Sequence, residues 1–261
     1  MNIVMIGDSW GVPNYNPDFN IPPNAHTEFL LKNLGYNVFN YSINGGSMLD
    51  TITYAIAGVT NRLDSLNPVI VNKLFSYSLD EGTKTLPKPA PFNENKIDWV
   101  IWFHTEALRD QFTDSMFPFV KIEEAHNICS HICYRSFVKM LEIFGNPKTA
   151  VIGGQAPVDP ILYQYHKPTF EIKDWRSEIV GRQLPRCYSF SKLDLICDMY
   201  DWSEVRMDFI DVHEKIMASM TDTNLFFDRC HPGVEPHKDL VARLDKIFKG
   251  EVAQTVRAMD S

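Results

Sequence analysis

The sequence predicts an α/β fold with a mainly parallel sheet, and three observations lead to this prediction. Four short segments have strand patterns: residues 2–6, 97–103 and 149–152 are mainly apolar, and residues 37–42 alternate between polar and apolar. Segments with helical spacing separate them, and strands that alternate with helices form parallel βαβ units. The first segment is almost entirely apolar, which suits a strand in a sheet that is covered on both faces.

The first half of the chain divides into strands and helices at clear stops. The predicted elements are a strand at 2–6, a polar loop at 10–23, a helix at 25–34, a strand at 37–42 and a helix at 48–66. Gly35 follows the first helix and Asn67-Pro68 follows the second, and both are typical of helix ends. Between the second strand and the second helix, Asn44-Gly45-Gly46-Ser47 has the composition of a turn.

The second half contains strong elements and two segments that lack a clear period. The predicted elements are a strand at 97–103, a helix at 121–144, a strand at 149–152 and helices at 204–220 and 234–248. Segment 68–96 ends in a stretch rich in proline and lysine, and segment 155–200 is rich in proline and aromatic residues. We expect a single domain over residues 1–261, in which 68–96 and 155–200 are lid or insertion segments.

Composition and charge exclude several classes of function. Apolar residues make up 44% of the chain and charged residues 22%, as in ordinary globular proteins, and no apolar run is long enough to cross a membrane. The net charge of −8 argues against nucleic acid as a partner. Five cysteines do not form a disulfide framework, and the chain begins on a strand without a signal peptide, so we expect a cytoplasmic protein.

Polar residues follow each of the four predicted strands at its carboxyl end. These residues are Gly7-Asp8-Ser9, Asn44-Gly45-Gly46, His104-Thr105-Glu106 and Gly153-Gly154-Gln155. In an open parallel sheet the carboxyl ends lie along one edge, and ligands bind in the crevice outside it. The sequence therefore predicts an active site at this edge.

Three residues from the two ends of the chain can supply nucleophilic chemistry. A serine hydroxyl attacks well when a histidine takes its proton, and a third group must hold that histidine in the right tautomer. Ser9 lies where the first strand turns into a loop. Asp228 and His231 are three residues apart before the last predicted helix, a spacing that lets both side chains face one way. We expect the neighbouring Asp8 to be structural, accepting hydrogen bonds from loop N–H groups.

These residues resemble the motifs of the SGNH hydrolases, also called GDSL esterases or lipases. The matching stretches, in the family's order over about residues 1–245, are Gly7-Asp8-Ser9, Ser42-Ile43-Asn44-Gly45 and Asp228-Arg229-Cys230-His231-Pro232. The resemblance implies a flavodoxin-like three-layer α/β/α sandwich. It also implies that Ser9 is the nucleophile, His231 the general base and Asp228 its partner, while the N–H groups of Ser9 and Gly45 stabilise the oxyanion. The expected reaction is hydrolysis of a small acyl or O-acetyl ester, on a small molecule or a carbohydrate, without metal or organic cofactor.

The sequence departs from the family at one position. The family's third block supplies an Asn that donates to the oxyanion, and Glu106 takes that position here. An ionised carboxylate only accepts hydrogen bonds, and losing one oxyanion donor costs about 10²–10³ in rate. Glu106 can point away and accept a substrate hydroxyl; His104, Thr105 or Gln155 can donate instead; or the site can be slow or inactive. We expect activity because the nucleophile, the base and the orienting group are all present.

Each candidate residue also has a structural interpretation. Ser9 can be an ordinary turn residue, Gly45 can belong to an ordinary turn, and His104 can be a core histidine. Asp228 and His231 can cap the last helix. Glu106 motivates a second function, a non-catalytic module of the same fold that binds a glycan or a protein.

Metal and nucleotide sites are weaker alternatives. His126, Cys129 and Cys133 share one face of a predicted helix, but three ligands on one helix without a partner cluster make a poor zinc site. We expect the two cysteines to pack in the core. No glycine-rich phosphate loop follows the first strand, which argues against a nucleotide-binding domain.

Overall fold

The computed structural model describes residues 1–8, 10–12, 26–43, 45–76, 92, 96–105, 107, 122–154, 156–181 and 231–251. Within these ranges the elements are β1 (Asn2–Gly7), α1 (Thr27–Asn33), β2 (Asn37–Asn40), α2 (Met48–Val59), α3 (Pro68–Ser76), β3 (Trp99–His104), α4 (Ile122–Ile143), β4 (Lys148–Gly153), β5 (Phe170–Ile172), α5 (Trp175–Val180) and α6 (Val234–Phe248). Short 3-10 turns lie at Leu63–Ser65 and Pro160–Gln164. Within the same ranges, no helix combines the length and the apolar character needed to span a bilayer.

The five strands form one parallel sheet in the order β2-β1-β3-β4-β5. At its carboxyl edge, Gly7 of β1 pairs with Phe103 of β3, and His104 pairs with Gly153 of β4. This is the flavodoxin-like strand order, which the resemblance implied. The predicted mainly parallel sheet is therefore confirmed.

Helices cover both faces of the sheet because its central strands are apolar on both sides. Val4 and Ile6 of β1 pack into a core with α2, α3 and α4. Ile3 and Met5, which point the opposite way, pack into a second core with α1, α5 and α6. All four side chains are fully buried. The three-layer α/β/α sandwich is confirmed.

The structure differs from the predicted elements in three places. The helix predicted over 48–66 ends at Val59, and Asn61 has a φ of +56°, a left-handed conformation that interrupts the helix. In segment 68–96 the structure contains α3, and in segment 155–200 it contains β5, neither of which was predicted. The role of these segments as lids or insertions, and the single domain over 1–261, stay predictions. The helix predicted over 204–220 lies outside the described residues.

Candidate active site

The topology places the candidate site at the carboxyl ends of β1 and β3. In a doubly wound sheet, the ligand crevice lies where the strand order reverses. Here the reversal lies between β1 and β3, since α1 leaves β1 over one face and α2 approaches β3 over the other. β1 leads into Asp8, and β3 leads into Thr105. The topological switch point therefore lies on the edge of the sheet at which the sequence predicts the active site.

Asp8 organises the turn that follows β1. Its carboxylate Oδ1 accepts a hydrogen bond of 3.0 Å from the Trp10 N–H, and its backbone carbonyl accepts one of 3.0 Å from the Gly11 N–H. Asp8 is fully buried, so this carboxylate satisfies a backbone donor that water cannot reach. The structural role expected for Asp8 is confirmed.

Two glycines let this turn lie close to the neighbouring strands. Gly7 has a φ of +151°, and a Cβ atom there would lie 2.6 Å from Cβ of Phe103. A Cβ at Gly11 would lie 2.2 Å from Oγ of Ser42. The Gly11 carbonyl also accepts a 2.7 Å hydrogen bond from Nδ2 of Asn40. The turn is thus held against the ends of β2 and β3 at distances that only glycine allows.

The second block of the candidate site lies between β2 and α2. The Ile43 N–H donates to the Gly7 carbonyl at 2.9 Å, which joins this block directly to the end of β1. Gly45 is exposed and has a φ of +65°, and the Gly46 N–H then donates back to the Ile43 carbonyl at 2.8 Å. Ser47 starts α2 with a capping box. Donation from the Gly45 N–H to an oxyanion stays a prediction.

His104 turns away from the edge toward α4. Its Nε2 lies 2.7 Å from the hydroxyl of Tyr134, and the two rings are stacked with an interplanar angle of 21°. Trp102 packs on the same side, with its ring centroid 5.4 Å from that of His104. His104 is only 2% exposed. This packing favours the core interpretation of His104 over a role as a substrate donor.

Thr105 and Gly154 meet at the ends of β3 and β4. Thr105 is 1% exposed, and its Oγ1 has no hydrogen-bond partner among the described residues. The Gly154 N–H donates to the His104 carbonyl at 3.2 Å. A Cβ at Gly154 would lie 3.5 Å from Cβ of Trp10, so β4 ends beside the turn that follows β1. The ends of three strands therefore converge here.

The starts of α1 and α6 also meet at this edge. In the first turn of α6, His237 has its Nδ1 2.8 Å from Oγ1 of Thr27, the first residue of α1. The ring of His237 packs on the ring of His26 at a centroid distance of 4.5 Å. Nε2 of His26 lies 3.4 Å from the carbonyl oxygen of Trp10. A chain of contacts thus connects the start of α6 to the residue that follows Ser9.

Trp175 of α5 packs against the aromatic residues of this junction. Its ring packs edge-on against Trp10 at 5.7 Å and against His237 at 5.5 Å. The Phe103 ring lies 6.0 Å away on the same side. The aromatic cluster joins buried residues from β3, α5, α6 and the turn after β1.

The two buried histidines of this junction are neutral at pH 7. Burial lowers the pKa of His26 to about 4, although Glu28 and the Trp10 carbonyl oppose the shift. Burial holds the pKa of His237 well below its usual value, and the neighbouring His26 and His231 lower it further. Nδ1 of His26 accepts from the Glu28 N–H, so its single proton is on Nε2 and is donated to Trp10.

His231 is half-buried, and its charge is among the causes that lower the pKa of His237. Of the residues predicted to form the site, Gly45, His104, Thr105 and His231 are described. Ser9, Glu106, Gln155 and Asp228 lie outside the described residues, as does Asn44. The triad therefore stays a prediction, and the structure shows only that Trp10, which follows Ser9, is connected through His26 to the start of α6.

A second buried polar cluster, on the inner face of α4, was not predicted. Oδ2 of Asp159 accepts a 3.1 Å hydrogen bond from Oγ of Ser130 and lies 3.3 Å from Nε2 of His126. Asp159 also caps the 3-10 turn at Pro160–Gln164 through the Ile161 N–H. The spacing of His126, Ser130 and Tyr134, four residues apart on one helix, is the signal that could have revealed this face.

The two cysteines considered as zinc ligands lie on the same face of α4. Cys129 and Cys133 are fully buried in the apolar core between α4 and the sheet, as expected. His126 is directed to Asp159. In the part of the chain that the structure describes, no three His, Cys, Asp or Glu side chains are grouped to hold a metal ion.

No protein-family model matches this sequence, and no curated protein matches it. Among solved structures, the chain is similar to a carbohydrate esterase whose active site is described as displaying divergent catalytic and non-catalytic binding functions, with a TM-score of 0.43 and 10% identity. The match covers 95% of this chain and 64% of that chain, so this chain spans less than two thirds of the esterase's length. Likeness at this level says nothing about shared activity.

Proposed function

We propose that this protein is a serine esterase of the SGNH type that hydrolyses a small acyl or O-acetyl ester on a small molecule or a carbohydrate. The supporting observation is that Trp10, which follows Ser9, contacts His26, and that His26 packs on His237, which lies six residues after His231 in the first turn of α6. A nucleophile and a base that are far apart in the sequence need such a junction to exchange a proton.

The proposed reaction has two halves. Ser9 Oγ attacks the ester carbonyl carbon while His231 takes the hydroxyl proton, and the carbonyl oxygen becomes an oxyanion. The bond from carbon to the alcohol oxygen then breaks, and His231 returns the proton to the leaving alcohol. In the second half, water attacks the acyl-enzyme with His231 again as the base, which releases the acid and restores Ser9. Asp228 orients the His231 ring throughout.

The oxyanion is the point at which this chain differs from its proposed family. Two backbone N–H groups, those of Ser9 and Gly45, are the proposed donors. The described residues around these two donors form one hydrogen-bonded unit, in which the Gly7 carbonyl accepts from the Ile43 N–H and Asp8 accepts from the Trp10 and Gly11 N–H groups. A preorganised unit of this kind stabilises developing charge without reorganising during the reaction.

Covalent labelling tests this proposal directly. The intact protein is incubated with a fluorophosphonate probe, and p-nitrophenyl acetate hydrolysis is measured in parallel for the wild type, Ser9→Ala and His231→Gln. We expect labelling and hydrolysis in the wild type and the loss of both in the two variants. Ser136→Ala is the matched control, because Ser136 is a half-buried serine of α4 whose Oγ donates to the Ile132 carbonyl. Undiminished labelling of Ser9→Ala would exclude Ser9 as the nucleophile.

A non-catalytic module that binds a glycan or a protein is the second candidate function. Glu106 favours it, because a carboxylate at the family's Asn position accepts hydrogen bonds from sugar hydroxyls and repels an oxyanion. Absence of probe labelling in the wild type, together with saturable binding of an acetylated oligosaccharide, would support this function over the esterase.

A further inference from the structure

Two buried hydroxyl groups at the candidate site, those of Ser42 and Thr105, have no hydrogen-bond partner among the described residues, and Thr105 is the more deeply buried residue of the two. Thr105 is 1% exposed, and among the described residues its Oγ1 has no hydrogen-bond partner. A buried hydroxyl without a partner costs free energy that an isosteric valine would not cost, because it has lost its hydrogen bonds to water. Most buried polar groups in folded proteins are paired, and an exception at a candidate site indicates a partner that arrives during function.

The position of Thr105 connects it to the proposed nucleophile. Gly7 and Phe103 are the last paired residues of β1 and β3. Ser9 follows Gly7 by two residues, and Thr105 follows Phe103 by two residues. Both follow strands that flank the switch point, where the ligand crevice of such a sheet lies. Thr105 also follows His104, whose carbonyl accepts from the Gly154 N–H, and a Cβ at Gly154 would lie 3.5 Å from Cβ of Trp10.

We propose that the Thr105 hydroxyl donates a hydrogen bond to the substrate oxygen that becomes negatively charged when Ser9 attacks. This inference rests on the proposed esterase function. The third oxyanion donor is missing from the family's usual position, since Glu106 has no proton to donate in its ionised form. A hydroxyl donates where a carboxylate does not, and a donor shielded from water acts strongly on a developing charge.

A second buried threonine provides a matched comparison. Thr149 lies at the opposite, amino-terminal part of β4 and is also 1% exposed. Its Oγ1 lies 2.7 Å from Nε2 of His166, so its hydroxyl has a partner within the protein. Replacing either threonine by valine preserves shape and removes one hydroxyl. The consequence for folding is opposite, because only Thr149→Val breaks an existing hydrogen bond.

The experiment compares Thr105→Val, Thr105→Ser and Thr149→Val in the full chain. For each, kcat and KM for p-nitrophenyl acetate, the rate of fluorophosphonate labelling and the urea unfolding midpoint are measured. We expect Thr105→Val to lose about 10²–10³-fold in kcat with little change in KM, as for the loss of one oxyanion donor. Its unfolding midpoint stays the same or rises. Thr105→Ser, which keeps the hydroxyl, retains most of the kcat, and Thr149→Val unfolds at lower urea with wild-type kcat.

Two outcomes overturn the inference while the esterase function stands. The first is a labelled, active wild type whose kcat is unchanged by Thr105→Val. The second is a Thr105→Val variant that loses activity and unfolding midpoint together and is not rescued by Thr105→Ser, which indicates packing alone. A wild type that is neither labelled nor active overturns the esterase function itself and the Thr105 inference with it.

Discussion

The buried neutral His26 makes the stability of this protein sensitive to acid. Burial lowers its pKa from 6.5 to about 4 in the folded state, whereas the unfolded chain keeps the ordinary value. As the pH falls below 6.5, the unfolded chain binds a proton that the folded protein excludes, so the free energy of unfolding decreases. The decrease ends near pH 4, where His26 also becomes protonated in the folded protein.

The magnitude follows from the two pKa values. A difference from 6.5 to about 4 corresponds to about 3 kcal/mol over the whole range, at about 1.4 kcal/mol per pKa unit. Between pH 7 and pH 5 the linkage relation assigns about 2 kcal/mol of this loss to His26. This loss is a substantial part of the free energy of unfolding of a whole domain, which is roughly 5–15 kcal/mol. His237 contributes in the same direction, since its pKa is lowered by the same burial.

The contribution of His26 to the pH dependence of stability is measured by comparing the wild type with His26→Gln. Both proteins are unfolded in urea at pH 7, 6 and 5, and unfolding is followed by the fluorescence of the five tryptophans. Glutamine does not titrate, and its amide can donate to the Trp10 carbonyl in place of Nε2. We expect the wild type to lose about 2 kcal/mol more than the variant between pH 7 and pH 5. Glu28 and His231 are present in both proteins, and His237 titrates in both, in the variant without the lowering of its pKa that His26 contributes. Equal losses in the two would refute the reasoning, because His26 would then titrate normally.

Two further substitutions test the geometry of the candidate site. Gly7→Ala places a Cβ 2.6 Å from Cβ of Phe103 at a φ of +151°, so we expect a loss of about 2–4 kcal/mol in the free energy of unfolding, measured in urea. If the free energy of unfolding fell by less than about 1 kcal/mol, β1 and β3 would be able to separate easily at this edge. Tyr134→Phe removes the hydroxyl 2.7 Å from Nε2 of His104, and we expect a loss of about 1–3 kcal/mol because a buried ring nitrogen loses that partner. Unchanged stability would show that the Tyr134 hydroxyl contributes nothing to holding His104.

The strands and helices were predictable where burial imposes a regular pattern. β1, β3 and β4 are buried on both faces, so their sequences are nearly continuous apolar runs. α6 was predicted over the bounds at which it occurs, Val234–Phe248, because its apolar stripe is regular and its flanks are polar. Where an element is short or only partly buried, the regular pattern of apolar residues disappears.

β5 and α3 show why the rest could not be predicted. β5 has only three residues, of which Phe170 and Glu171 are half-buried, and it is a strand because it pairs with β4 at the edge of the sheet. α3 begins at Pro68. A proline is common both after the end of a helix and at the first position of a new one, and from the sequence alone Pro68 indicates the end of the preceding helix. In both segments the deciding interactions are with residues distant in the sequence.

For the candidate site, the sequence by itself determined which chemical groups follow the strands, because the carboxyl ends of parallel strands meet at one edge. Only the tertiary structure decided which partner each group has. Asp8 satisfies its own turn, His104 turns to Tyr134 across the core, and Thr105 has no partner among the described residues. The reason is physical: a side chain's charge and hydrogen-bonding capacity are local properties of the sequence. Its burial and its partners depend on packing between segments as far apart as Trp10 and His237.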